Sequence, residues 1–412
     1  MQDARFLTKR SSYGYQCDVR ATYAHLPFQA FWTWLTGKDI CRLEPRRPFD
    51  TLLSERQLWL QLTWSWFLII ISVVVGVADW DARGISWAAK AVVTVLCWLL
   101  IVNRTRGLLH TFHYTNHGAS ISNMARARWM GKYFMSIPIM HTSWDRYHRI
   151  HAQDHHSTAT LCSSADPDEV FMSENGFRLG MPEREFWTRL VLAPFHPLAI
   201  WRHISFRLKE NFLTCGWREI LPRALFWTAF IVVAYASGYG LEIAIIYLFP
   251  LFILTQLSSW LQHTTEHLWF SEPPGDVSTF VYYGSVTWGR FLGRPHPGQQ
   301  TGFAHRVRLA RWWASVIVLD LPIRLFAFMQ DLPSHDYHHR SPRVNFWSIA
   351  RERAANEGRP SKFGPMAETW GLPESWMIIR DHLCRGRHDP FLLLAWDRAE
   401  NARRDLPALA AD

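Results

Sequence analysis

Four apolar runs, each about as long as a bilayer is thick, constrain the fold of this chain more than any other feature. They cover residues 58–77, 85–102, 222–239 and 241–261, and each carries at most one charged residue, such as Lys90 in the second run. A helix needs about 20 mostly apolar residues to cross the hydrocarbon core of a bilayer. The runs therefore predict an all-α integral membrane protein with four transmembrane helices, arranged as two helical hairpins.

Polar, histidine-rich sequence fills the rest of the chain. We interpret residues 1–57 as an N-terminal cytosolic or interfacial segment, 58–340 as a membrane-bound domain and 341–412 as a C-terminal cytosolic tail. Within the membrane-bound domain, the stretches 103–220 and 262–340 are too polar to cross a membrane. They predict a helical cap on one side of the bilayer.

Basic residues near the ends of the runs predict the orientation of the chain. They flank the polar side of both hairpins, at Arg46, Arg47, Arg56, Arg104, Arg106, Arg218 and Arg223. Cytoplasmic loops of membrane proteins carry an excess of Lys and Arg. We therefore expect a protein of the bacterial inner membrane, with the cap and both termini on the cytosolic side. The same rule accounts for the formal net charge of +9 without any binding of nucleic acid.

The opening residues show no apolar run followed by a small-residue cleavage site, so no secretory signal is predicted. The six cysteines are scattered without a CxxC pair. This pattern disfavours a disulfide framework, a zinc knuckle or a built-in iron–sulfur cluster. Any electrons that the protein uses are therefore expected from another protein.

Most of the 20 histidines fall into four tight groups on the predicted cytosolic side. The groups are His110, His113 and His117; His148, His151, His155 and His156; His263 and His267; and His335, His338 and His339. Spacings of three and four residues place imidazoles on one face of a helix. Four such groups at the ends of spans indicate a metal site rather than a solvated surface.

Adjacent histidines carry further information. Imidazole is a good ligand for iron, zinc and copper. Neighbouring helical side chains point roughly 100° apart, so an adjacent pair suits two metal ions better than one. His155–His156 and His338–His339 are such pairs, each preceded by another histidine. The pattern therefore predicts a binuclear centre.

Three of the segments have the form of histidine boxes: His113-Tyr-Thr-Asn-His117, His151-Ala-Gln-Asp-His155-His156 and His335-Asp-Tyr-His338-His339. In this the chain resembles the membrane-bound fatty acid desaturase superfamily. The resemblance implies nine metal ligands: His113, His117, His151, His155, His156, His267, His335, His338 and His339. His110, His148 and His263 are possible additional ligands, and Asp154, Glu266 and Asp336 are candidates for orienting the imidazoles by hydrogen bonds.

The resemblance also implies the chemistry. Two iron ions would bind, O2 would be the oxidant and co-substrate, and the substrate would be a lipid or fatty acyl chain. Electrons would come from a ferredoxin, a rubredoxin or a cytochrome b5 type of donor. The expected reaction is the introduction of a double bond into an acyl chain. A hydroxylase or ketolase of a lipid, alkane or carotenoid remains open, and Tyr114, where many members carry an acidic residue, weakens assignment to a subfamily.

Two other classes of protein are less consistent with the pattern. A histidine-rich metal transporter would place ionisable residues at midplane depth in its spans, whereas the histidines lie outside the predicted spans. A haem membrane protein needs only two opposed ligands, which leaves most of the groups unexplained. A membrane scaffold with a basic cap would account for the charge alone.

Overall fold

The computed structural model describes residues 9–10, 18–40, 43–78, 80, 84–273 and 277–386. Four of its helices are long and apolar enough to cross a membrane: Glu55–Val77, Trp87–Asn116, Trp217–Ala236 and Gly240–Glu266. We call them the first to fourth spans. The predicted all-α membrane class is confirmed, whereas the grouping into hairpins and the cytosolic placement of the cap stay predictions.

Each span overlaps one predicted run, and the boundaries differ where local polar chemistry decides them. Ser54 begins the first span with a capping box, in which Ser54 and Gln57 each satisfy the backbone N–H of the other. Ser86 accepts a hydrogen bond from the N–H of Ala89 and so begins the second span. That helix runs on past the predicted end at residue 102 to Asn116.

The spans pack through an apolar core that includes Leu62 and Ile69 of the first span and Ile101 of the second. Gly76 allows the first and fourth spans to approach closely. A Cβ atom at that position would lie 2.7 Å from the side chain of Ile246. Any larger residue there would push the two helices apart.

The fourth span is not a regular α-helix. Its α-helical ends, Gly240–Ile243 and Thr255–Glu266, enclose the π-helical segments Ala244–Leu248 and Pro250–Leu254. A proline inside a helix lacks the N–H group and its ring clashes with the preceding turn. Pro250 therefore accounts for the widened hydrogen bonding in the middle of this span.

Shorter helices follow one another through the rest of the described chain, between turns and irregular segments. The α-helices are Gln29–Thr36, Met124–Met130, Trp144–Tyr147, Pro167–Glu174, Glu183–Leu192, Pro197–Phe212, Thr279–Ser285, Phe303–Ser315, Leu321–Phe326, His335–Arg340, Ile349–Asn356 and Leu372–Arg385. Further π-helical segments are Gly131–Ser136, His148–His155 and Val316–Asp320, and single 3₁₀ turns are Ala21–Tyr23, Pro48–Thr51, Ala193–Phe195 and Leu332–Ser334. Most of these helices belong to the predicted cap.

A small parallel sheet joins distant parts of the chain. Strand β1 is Lys9–Arg10, β2 is Gly289–Phe291 and β3 is Ala367–Trp370, in the order β1-β3-β2. Glu368 of β3 lies opposite Gly289 of β2. The sheet therefore ties sequence beyond residue 340 to the segment between the fourth span and the third histidine box.

Candidate metal centre

The first histidine box lies on the last turn of the second span. Because this helix continues to Asn116, His113 and His117 lie one turn apart on the same face, with ring centroids 5.0 Å apart. His113 is almost completely buried. The continuation of the span beyond its apolar run thus carries the box into the interior of the cap.

The second box lies on the π-helical segment His148–His155. A π-helix bonds residue i to residue i+5, and such segments are frequent at functional sites. This winding brings His151 and His156 to one side, with their Nε2 atoms 3.1 Å apart. His155 points elsewhere, and its Nδ1 is bound to Asp166.

The third box and the end of the fourth span supply the remaining imidazoles. His335 and His339 are one turn apart on the helix His335–Arg340, and their Nε2 atoms are 3.1 Å apart. The fourth span ends at Glu266, and His267 is already extended, in an antiparallel bridge with Thr287. This bridge fixes where the His267 imidazole enters the site.

The histidines of these segments form two groups, within each of which the nitrogen atoms lie within 4.8 Å of one another. The first group is His113, His117, His151, His156 and His338, and the second is His155, His267, His335 and His339. All nine histidines that the resemblance implied as ligands are brought together. Each adjacent pair is divided between the groups, as its angular offset requires.

The nitrogen distances suit metal ligands. The Nε2 atom of His113 lies 2.6 Å from that of His338 and 3.0 Å from that of His151. Two nitrogens that bind one ion at about 2.1 Å and at right angles would be about 3 Å apart. In addition, buried nitrogens of His117 and His267 have no hydrogen-bond partner among the described residues. Buried polar atoms are rarely left without a partner, so these residues fit a bound metal.

The electrostatics favour neutral imidazoles with free lone pairs at several histidines of the two groups. Burial, followed by repulsion from neighbouring histidines, lowers the pKa of His156, His338 and His339 well below the usual 6.5. Burial likewise lowers the pKa of His117 and His267 to about 3. A neutral imidazole is the form that binds a metal ion.

The sequence profile of the family described as fatty acid desaturase matches residues 85–366, more than half of the chain. The chain belongs to the fatty acid desaturase family. The matched region contains all four segments that supply the two histidine groups. No curated protein matches the chain. Family membership identifies this desaturase-family protein as a membrane-associated oxidoreductase that acts on lipid.

Carboxylates outside the boxes hold His155 in this desaturase-family protein. Its Nδ1 donates to both oxygens of Asp166, at 3.0 and 3.2 Å, and lies 3.4 Å from Asp168. Burial lowers the pKa of His155, but Asp166 and Asp168 outweigh it and raise that pKa to about 9. Asp166 is itself fixed as the N-cap of the helix Pro167–Glu174. Asp166 was not among the acidic residues predicted to orient imidazoles.

A tyrosine contacts a second histidine of the two groups. The Tyr283 hydroxyl donates to the backbone carbonyl of His156, at 3.3 Å, and lies 2.8 Å from Nδ1 of His339. The other ring nitrogen of His339, Nε2, faces His335 of the same histidine group. Tyr283 thus contacts the nitrogen of His339 that points away from that group. Nothing in the spacing of the sequence pointed to Tyr283.

The three acidic residues predicted to orient imidazoles have different partners. Glu266 accepts from Nδ1 of His263 at 2.7 Å. Asp336 binds Arg353 at 2.9 Å. Asp154 makes no hydrogen bond from its carboxylate to a histidine within the described part of the chain.

The three possible additional ligands lie beside the two groups rather than in them. Nδ1 of His110 is 3.4 Å from Asp331, and Nδ1 of His148 donates to Asn116 at 3.0 Å. His263 forms a separate group with Asp168 and Glu266. Their part in metal binding stays a prediction.

Buried arginines anchor the third box. Arg353, from the helix Ile349–Asn356, binds Asp336 and the backbone carbonyl of Ala367 in β3. Arg290 of β2 donates to the carbonyls of Gln262 and Leu332. The segment beyond residue 340, predicted as a C-terminal tail, therefore contributes contacts to the third box.

Proposed function

We propose that this protein is a di-iron, O2-dependent oxidoreductase that introduces a double bond into a fatty acyl chain of a lipid. The observation that carries the proposal is the presence of two histidine groups, one of five residues and one of four, which share no member. Such an arrangement suits two ions held side by side. Membership of the desaturase family supports lipid as the substrate class.

The residues that would hold the two irons are the members of the two groups. An unactivated C–H bond cannot be attacked by acid–base chemistry of side chains, so bound iron would supply the oxidising power. The protein supplies position and surroundings. His113, His155 and His338 are each less than 4% exposed, which keeps bulk water away from the centre.

The chain's own hydrogen bonds set the direction of the imidazoles. Asp166 holds the Nδ1 proton of His155, and the Tyr283 hydroxyl contacts Nδ1 of His339. Both contacts occupy Nδ1 and so assign Nε2 as the metal-binding atom of each imidazole. Carboxylate and hydroxyl partners of this kind fix the tautomer and orientation of ligand histidines.

The position of the centre suits a substrate that lies in the bilayer. The second span ends at Asn116 and the fourth at Glu266, both directly beside ligand histidines. An acyl chain that lies between the spans would reach the metals at these helix ends. We place this side in the cytosol, where a ferredoxin, rubredoxin or cytochrome b5 type of donor would supply electrons.

Metal content of the purified full chain in detergent tests the proposal. We expect about two irons per chain, with less iron in His155→Ala and in His338→Ala, because each variant removes a ligand from a different group. The exposed His25→Ala is the matched control and should keep its iron. Zinc or haem in the folded wild type, or full iron in both ligand variants, would overturn the di-iron proposal.

Lipid products then distinguish the reactions. Desaturation removes two hydrogens from an acyl chain, whereas hydroxylation adds one oxygen. Mass spectrometry of lipids from cells that express the wild type or His338→Ala measures both changes, with anaerobic growth as a control. Lipids that gain oxygen without losing hydrogen would assign the protein to the hydroxylases.

A further inference from the structure

The helix Pro197–Phe212, which immediately precedes the third span, has an inverted polarity. The side facing the protein carries Glu210 and Asn211, both buried, and Arg207, which donates to the backbone carbonyl of Met140. The side facing away carries Trp201, which is 65% exposed. A surface helix in water normally shows the opposite pattern, with its apolar residues turned inward.

The apolar exposure continues into the neighbouring segments. Large exposed apolar residues occur before this helix, along it and at the start of the third span: Leu192, Phe195, Leu198, Phe206, Leu208, Leu213, Trp217 and Leu221. The last two belong to a membrane-spanning helix. The row is therefore continuous with the lipid-facing surface of the spans. A lipid surface is the partner that fits it, because amphipathic helices lie in the bilayer interface with their apolar side buried.

A cleft of about 800 Å³ opens between this helix and the helix Glu183–Leu192. Three arginines line it, Arg184, Arg189 and Arg202, and the apolar side chains of Leu192 and Leu198 form part of the same wall. The cleft thus combines guanidinium groups with apolar residues of the lipid-facing row. That combination matches the boundary between headgroups and acyl chains.

Two acidic residues, Glu174 and Glu185, also line the cleft, where the three arginines outnumber them. Glu185 is engaged by Arg178 at 2.8 Å and lies 3.6 Å from Arg189. Arg202 donates to the backbone carbonyl of Glu174. Arg184 forms no ion pair with any residue that the structure describes. Guanidinium groups recognise phosphate through paired, charge-assisted hydrogen bonds.

We propose that this cleft binds the anionic headgroup of a membrane phospholipid. The bound lipid would seat the cap on the bilayer, with its phosphate on Arg184, Arg189 and Arg202 and its acyl chains along Leu192 and Leu198. Each basic residue near an anionic bilayer contributes about fivefold in affinity. The site is independent of the metal centre and goes beyond the proposed desaturation.

Native mass spectrometry of the purified full chain tests the proposal, using phosphatidylglycerol and, for comparison, phosphatidylcholine. We expect the wild type to retain phosphatidylglycerol preferentially. A triple variant, R184Q, R189Q and R202Q, should lose this preference by at least about tenfold. The matched control is R306Q, R308Q and R311Q, which removes the same charge from exposed arginines of the helix Phe303–Ser315.

The outcomes separate the possible origins of binding. Retention by the control together with loss in the cleft variant supports the site. An equal loss of the phosphatidylglycerol preference in both triple variants would show an effect of net charge alone. Equal phosphatidylglycerol binding by the wild type and both variants would show that the cleft is not a lipid site. Either result would overturn the proposal. Inorganic phosphate that displaces the lipid at equal concentration would identify a free-phosphate site instead. Iron content is measured in parallel, so a failure of the lipid site is distinguishable from a failure of the metal centre.

Discussion

Asp166 is hydrogen-bonded to His155 through both carboxylate oxygens, and this contact predicts a measurable effect on metal binding. We expect Asp166→Asn to weaken binding about 10- to 100-fold at pH 9, since loss of a carboxylate partner makes a ligand histidine less basic. Asparagine also caps helices well, so the helix Pro167–Glu174 should stay folded. Chelator-buffered Co(II) titrations measure the affinity. Asp154→Asn is the control, and equal weakening in both variants would contradict the role of Asp166.

The same contact predicts a pH dependence. Without metal, the pKa of His155 is about 9, because Asp166 and Asp168 stabilise the imidazolium against the opposing effect of burial. A metal must displace this proton. Affinity in the wild type should therefore rise about tenfold per pH unit from pH 7 to pH 9 and then level off. In Asp166→Asn the plateau should begin at lower pH, and an unchanged profile would contradict this explanation.

At the level of elements, the third box depends on the buried ion pair between Asp336 and Arg353. The side chains are 0% and 2% exposed, and the Arg353 nitrogen is 2.9 Å from the carboxylate. Removal of one partner leaves a buried charge uncompensated, which costs about 3–5 kcal/mol. We expect this loss of stability for Arg353→Met, measured by thermal unfolding in detergent.

Two further variants test whether the buried charge is the cause. The double variant D336N/R353M removes both charges and should be less destabilised than Arg353→Met alone. Arg178→Met breaks a solvent-exposed pair with Glu185 and should lower the unfolding temperature far less than Arg353→Met does. A loss in Arg178→Met as large as that in Arg353→Met would argue against burial as the reason.

The elements also show how far the sequence determines the site. The spans and the boxes at i and i+4 were predictable, because hydropathy and helical spacing are local properties. The π-helical winding brings together His151 and His156, which are five residues apart. Helical spacings of three and four residues do not predict this contact. Tyr283 and Arg353 meet the boxes only through tertiary packing, so spacing along the chain could not identify them.

At the scale of the whole molecule, the proposed metal centre links four separate parts of the chain. The histidines that could hold a metal come from the second span, the second box, the end of the fourth span and the third box. Metal that binds only the folded state stabilises it by about 2.7 kcal/mol at 100 times the dissociation constant. We expect chelation to lower the unfolding temperature and to expose the cap to limited proteolysis while the spans stay protected. Identical digestion patterns with and without metal would contradict this linkage.

The orientation of the molecule in the membrane is the remaining prediction, and it follows from the distribution of charge. Arg218 and Arg223 lie at the end of the third span that adjoins the cap, whereas the turn at its other end, around Ser237, has no basic residue. Cytoplasmic segments retain Lys and Arg, so the cap should face the cytosol.

We expect an impermeant thiol reagent to label Ser237→Cys in intact cells but Arg343→Cys only after permeabilisation. Cys17, Cys41, Cys215 and Cys384 would first be replaced by serine, while the buried Cys97 and Cys162 can stay. The reverse labelling pattern would place the metal centre outside the cytosol and exclude soluble cytosolic proteins as its electron donors.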